Sequence, residues 1–130
     1  MNRTEIKSAI ISKNKNGITV VDIISGREIV TSDIYDLSRE CNAFTGRSGL
    51  LLINIPADIS ISFGALITWS KISGAPSIAF VAHKNMLQQL ENMVFVTLKH
   101  FGIATSMRAF ETQHLAEAWL NRQECIYSDP

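Results

Sequence analysis

GLLLINIP, residues 49–56, is the stretch on which the fold turns. Six residues, all but Asn54 leucine or isoleucine, stand between a glycine and a proline, too few for a buried helix and bounded on both sides by residues that break regular structure. Side chains alternate across a strand, so a run apolar on both sides has both faces covered. That is the signature of an interior strand in a parallel sheet. The run SIAFVA, residues 77–82, repeats the pattern and predicts a second such strand.

Working outward, each interior strand is flanked by helical periodicity. Thr31-Ser32-Asp33 reads as a helix start, with a hydroxyl to accept a free backbone N–H and Asp33 to complement the helix dipole. Ile34, Leu37, Cys41 and Phe44 then recur at helical spacing until Gly46-Arg47-Ser48-Gly49. That glycine loop lacks the lysine and spacing of a phosphate-binding loop and reads as a helix terminus. Residues 62–73 form a second helix, with Phe63, Leu66, Ile67 and Ser70 on one face, Asp58 or Ser60 placed to cap it, and Gly74 and Pro76 ending it. Residues 86–101 form a third, with a stripe of Leu87, Leu90, Val94, Leu98 and Phe101 closed by Gly102. Residues 106–110 form a last strand. Thr112 caps a final helix with Leu115, Trp119 and Arg122 on one side, widened by Ala116 and Leu120, and a loose tail follows from 123 to 130.

Upstream, residues 6–12 and 18–25 are β-branched runs joined by Asn14-Lys15-Asn16-Gly17, where Asn-Gly supplies the positive φ of a tight turn. Ile18, Val20 and Ile24 alternate with Val21 and Ile23, so the second of these strands is interior. Asp22 within it is expected to face an edge. The expected fold is a single α/β domain with the order β-β-α-β-α-β-α-β-α. Its mixed, mostly parallel sheet of about five strands opens with an antiparallel hairpin, and about four helices cover both faces.

The 130 residues suit one domain with one core. With 46% hydrophobic and 18% charged residues the chain is core-rich, which excludes disorder for its body. Lysine plus arginine equal aspartate plus glutamate at 12 each, which leaves no basic field for nucleic acid. The apolar runs are far short of the roughly 20 residues of a membrane span. The polar first eight residues lack a signal peptide's apolar stretch, so a cytoplasmic location is expected. Cys41 and Cys125 have neither CxxC spacing nor a histidine pattern beside them and read as free thiols.

Two segments carry a family resemblance: VVDIISGREIVTSDIYDL, residues 20–37, and MRAFETQHLAEAWL, residues 107–120. Together they resemble the STAS-like superfamily, in the branch of small bacterial domains grouped with anti-sigma factor antagonists and related to CRAL-TRIO-like lipid carriers. There a strand runs through a glycine into a threonine-led helix. The chain closes with an aromatic strand end, a Thr or Ser cap and an Ala-x-x-Trp-Leu-like helix, supplied here by Phe110, Thr112, Ala116, Trp119 and Leu120. The resemblance implies a non-enzymatic regulatory domain that docks a protein partner through the loop before the second helix. It makes Asp58, Ser60, Ser62 and Gly64 the candidate phosphoacceptor or docking loop, with Ser62 in the phosphoacceptor position and Phe63 where the family has a glycine. Read on their residue types alone, Ser60 and Ser62 are helix caps.

The related lipid-exchange domains imply the alternative, a carrier or sensor of an apolar small molecule held between helix and sheet. On the helix over residues 86–101, Met93, Phe95 and Val96 are more apolar than one-sided packing requires and mark a ligand or homodimer surface. His83, His100 and His114 lie in different elements without the i, i+4 spacing of helical metal sites. His83 directly follows a strand, at the carboxyl end where open α/β sheets bind ligands. No nucleophile with a base and orienter is in place. No metal, cofactor or catalytic residue is therefore expected, and Trp69 and Trp119 are expected to fill core or interface.

Overall fold

The computed structural model describes residues 3–5, 9–24, 28–44, 50–73, 75–100 and 105–128. Its elements are β1 (Arg3–Glu5), β2 (Ala9–Lys13), β3 (Thr19–Ile23), α1 (Thr31–Phe44), β4 (Leu51–Ile55), α2 (Phe63–Ile72), β5 (Ser77–Ala82), α3 (Lys84–His100), β6 (Ser106–Phe110) and α4 (Gln113–Ser128). One sheet runs in the order β1-β2-β3-β4-β5-β6. The β1–β2 and β2–β3 pairs are antiparallel, and the three pairs from β3 to β6 are parallel. The expected α/β architecture is present, and the short β1 adds a strand to the edge of the hairpin.

The hairpin turns where Asn-Gly placed it. Gly17 takes φ +83°, a conformation that strains residues bearing a Cβ, and Asn14 Oδ1 accepts from the backbone N–H groups of Asn16 and Ile18 at 2.9 Å each. Beyond it, successive parallel strands lie side by side. The intervening helices α1, α2 and α3 therefore stack on the same sheet face, as crossovers of one hand require.

The alternation read from the interior strands divides the core in two. Val21, Ile23, Leu51, Ile53, Ile78 and Phe80 point toward α1–α3 and meet Ile34, Leu37, Cys41, Leu66, Trp69, Leu90 and Val94. Ile18, Val20, Leu50, Leu52 and Ala79 point the other way, against Ala116, Trp119 and Leu120 of α4. Both faces are thus covered, one by three helices and the other by α4 alone among the described residues. Trp119 and Phe110 lock α4 to β6 with ring centroids 5.8 Å apart. Both tryptophans are core residues, at 1% and 6% exposure.

Several local expectations are corrected. Helix α1 starts at Thr31 with Asp33 in its first turn, as expected, and Asp33 Oδ2 reaches back to accept from the N–H of Val30 at 3.0 Å. Thr31 is already helical, so its hydroxyl is not the cap. Helix α2 buries Ala65, Leu66, Trp69 and Ser70 and leaves Phe63 exposed, because the helix rolls to seat the largest ring. In α4 the same roll exposes Leu115 and buries the face of Ala116, Trp119 and Leu120. The stretch beginning at residue 123, expected to be loose, continues α4 to Ser128. Asp22 faces no edge: β3 is the third strand of six, and Asn54 Nδ2 donates to Asp22 Oδ1 at 2.7 Å. Phe44 and Cys125 as side chains, Phe101, and the loops around Gly46 and Gly102 fall outside what is described. No described helix is long and apolar enough to cross a membrane.

Candidate functional site

In a parallel sheet every connection from a strand into its helix leaves at the carboxyl edge, so irregular backbone collects there. The last residues of β3, β4 and β5 line a cleft of about 320 Å³ at that edge. Its walls are Asp22, Asn54, Val81 and neighbouring apolar residues, with Pro56, Ala57, His83 and Glu111 from the loops.

Asp22 and Asn54 hold the polar side of the cleft together. They occupy paired positions of adjacent parallel strands, so their side chains emerge next to each other on the face that α4 covers. Asn54 Nδ2 donates to Asp22 Oδ1 and also to Gln113 Oε1, at 3.0 Å. Gln113 Nε2 in turn donates to Glu117 Oε2 at 2.8 Å, and Asn14 Nδ2 donates to Glu117 Oε1 at 3.4 Å. This chain of amides and carboxylates fills the sheet face beyond the apolar patch under α4. His83, exposed at the mouth, accepts from the N–H of Asn85 through Nδ1 at 3.2 Å and so starts α3.

The loop expected to dock a partner begins with Pro56 and Ala57 in the wall of this cleft. Ile29 and Ile61 form a parallel bridge: the N–H of Ile29 donates to the carbonyl of Ser60 at 2.9 Å, and the N–H of Ser62 donates to the carbonyl of Ile29 at 3.1 Å. Ser62 is the N-cap of α2, its Oγ accepting from the N–H of Ala65 at 3.1 Å with extended backbone (φ −71°, ψ 153°). Asp58 and Ser60 do not cap this helix, because the bridge holds residues 60–61 extended and leaves them too far upstream. Ser60 instead donates to Glu28 Oε2 at 3.5 Å. Asp58, Ser60 and Gly64 are exposed, and a Cβ on Gly64 would approach Thr31 Oγ1 to 3.4 Å, which shows how closely α1 and α2 start together.

The apolar candidates on α3 separate. Met93 packs against the main core and, with Met86, Leu90, Ile55 and Ile61, lines a small apolar cavity beneath the helix. Its volume of about 20 Å³ is room for one water. Phe95 points outward at 62% exposure under the Lys99 ammonium, 5.5 Å from its ring, and Val96 is half-buried.

Elsewhere, burial pushes the Cys41 thiol up to about 12, helped by the charge of Glu40, so it is a packing residue without thiolate character. Among the described residues no three His, Cys, Asp or Glu side chains gather as a metal site. Of the cleft residues, His83 was found by its place after a strand. Asn54 and Glu111 were missed, and Asp22 was placed wrongly. The signal was present: TVVDI and LLINI carry a carboxylate and an amide, Asp22 and Asn54, at the same fourth position of a buried strand. Set against family models, curated proteins and solved structures, the chain matches none.

Proposed function

We propose that this chain is a non-enzymatic, STAS-like interaction domain that docks a protein partner at the carboxyl edge of its sheet, through the loop over residues 56–64 and the start of α2. What carries the reading is the Ile29–Ile61 bridge. It ties together the backbone beside Val30 and Phe63, which remain 36% and 39% exposed, while Ile24, 39% exposed, follows the carboxyl end of β3 at the same edge of the sheet. Exposed apolar residues grouped at one end of a domain fit a docking surface better than scattered ones do. Ser62 serves this surface as the cap that orders α2, and a phosphate there would have to replace that hydrogen bond.

The experiment places a photoreactive residue at Phe63, and at the exposed Asn16 in the hairpin turn at the other edge of the sheet as control, in cells that express the chain. A discrete adduct from position 63 and none from 16, lost when Ile24 is changed to aspartate, supports docking here. Equal labelling from both positions, or none from 63, overturns it.

The second reading, a carrier of an apolar small molecule, is favoured by the methionine-lined cavity beneath α3. At about 20 Å³ that space admits such a ligand only if α3 lifts away from the sheet. Native mass spectrometry of gently purified protein decides this: an added mass of a few hundred daltons supports the carrier, and a clean apo mass removes it. The same spectrum reads self-association, for which Phe95 is the exposed apolar residue on α3.

A further inference from the structure

We infer that the cleft over the ends of β3, β4 and β5 is a recess for a cationic hydrogen-bond donor, the guanidinium or ammonium of a basic side chain presented by the docking partner. This rests on the docking reading above and names the chemistry of its partner. The cleft adjoins the docking loop through Pro56 and Ala57, which line it, so one partner surface can reach both.

The inference follows from counting what the walls can offer. Asp22 and Glu111 are carboxylates, which when ionised only accept. Asn54 has committed its amide hydrogens to Asp22 and Gln113, so its carbonyl oxygen is what it can offer a ligand. His83 uses Nδ1 to accept from Asn85, which leaves Nε2–H as a single donor. Among the described residues, neither lysine nor arginine lines the cleft.

Helices α3 and α4 both begin beside the cleft, and free N–H groups there would favour an anion. Caps take part of this donor capacity. His83 takes the N–H groups of Asn85 and Met86, and Thr112 takes those of Leu115 and Ala116. An acceptor-rich, negatively charged recess remains, near 320 Å³ and so at the small end of ligand sites. That suits one side chain better than a larger molecule. Asn54 is a positioning residue here, because it fixes the Asp22 carboxylate from the neighbouring strand.

The test is an NMR titration of the whole chain with Nα-acetyl-arginine methylamide, with Nα-acetyl-glutamate methylamide as the probe of opposite sign. A single side chain binds weakly, with Kd of about 1–10 mM, so saturation is followed through the Asn54 side-chain amide and the His83 ring. The expected result is saturable shifts with the arginine probe only. They should weaken as salt is raised, and by about three- to tenfold in a variant carrying both Asp22→Asn and Glu111→Gln. Glu111→Gln alone, at an exposed site, covers the case in which Asp22→Asn perturbs the strand. Asp58→Asn, outside the cleft, should change nothing.

Shifts with the glutamate probe, no saturable shifts with either probe, or equal affinity in Glu111→Gln and the unchanged chain would overturn the inference. Phe63→Asp separates the two ideas, since it abolishes partner docking and leaves the arginine titration unaltered. A partner that cross-links at Phe63 while the cleft ignores arginine keeps the docking surface and removes the basic recess.

Discussion

Replacing Ser62 by alanine removes the side-chain oxygen that accepts from the N–H of Ala65 at 3.1 Å and leaves the first turn of α2 with one more unpaired donor. N-cap substitutions of this kind cost about 1 kcal/mol. With an urea m-value of about 2 kcal/mol/M for a domain of this size, the unfolding midpoint should fall by about 0.5 M. Trp69, buried on the same helix, reports the transition by fluorescence. Aspartate at the same position can accept the same hydrogen bond and adds a charge that suits the helix N-terminus, worth about 0.3–1 kcal/mol. Ser62→Asp should therefore match or exceed the unchanged chain, with glycine falling only a few tenths of a kcal/mol short. A cap thus predicts the order Asp ≥ Ser > Gly > Ala. If alanine leaves the midpoint unchanged, or aspartate falls below alanine, Ser62 is not held by its capping geometry and the account of α2 given above is wrong.

The Gly17→Ala change isolates backbone strain, because at φ +83° no heavy atom lies within 4 Å of the added Cβ; a loss of about 1 kcal/mol in urea unfolding is expected, and an unchanged midpoint would contradict the turn geometry. Trp119→Ala removes the main side chain joining α4 to the sheet and should cost about 3–5 kcal/mol, a thermal melt within 2 °C of the unchanged chain being incompatible with α4 covering that face. The Cys41 proton is held more tightly in the folded state than in the unfolded chain. Its contribution is therefore fully present below pH 9 and is lost as pH rises toward 12, on the order of 4 kcal/mol at the top of that window. Compared with Cys41→Ala, the unchanged chain should lose stability more steeply across that range, and parallel pH curves for the two would show the thiol to be accessible. In a Cys125→Ser background, Cys41 should react with a thiol reagent only as fast as the chain unfolds.

Much of this was legible in the chain itself, for a definite reason. A strand apolar on both sides needs two covered faces wherever it sits, so LLLINI and SIAFVA dictated an interior parallel sheet without reference to any partner element. The hairpin turn was equally local: Asn14 and Gly17 build it from their own hydrogen bonds and backbone freedom. Thr112, too, caps α4 within its own turn. These features have short-range causes, and short-range causes are written in short stretches of sequence.

The rotation of helices about their own axes was not legible. Periodicity marks an apolar stripe, but which edge of it is buried depends on the sheet below, and so Phe63 and Leu115 are exposed where Trp69 and Trp119 took the core. The cleft is the clearest case. Asp22 and Asn54 stand 32 residues apart, and nothing local says that parallel register will set them side by side. Each stands as a carboxylate or an amide in a largely apolar run. Pairing of the strands made them a hydrogen-bonded couple, and the crossing of α4 supplied Gln113 to the same network. Element identity was decided by the sequence because it depends on neighbours in the chain, whereas the site was decided by tertiary structure because it depends on neighbours in space.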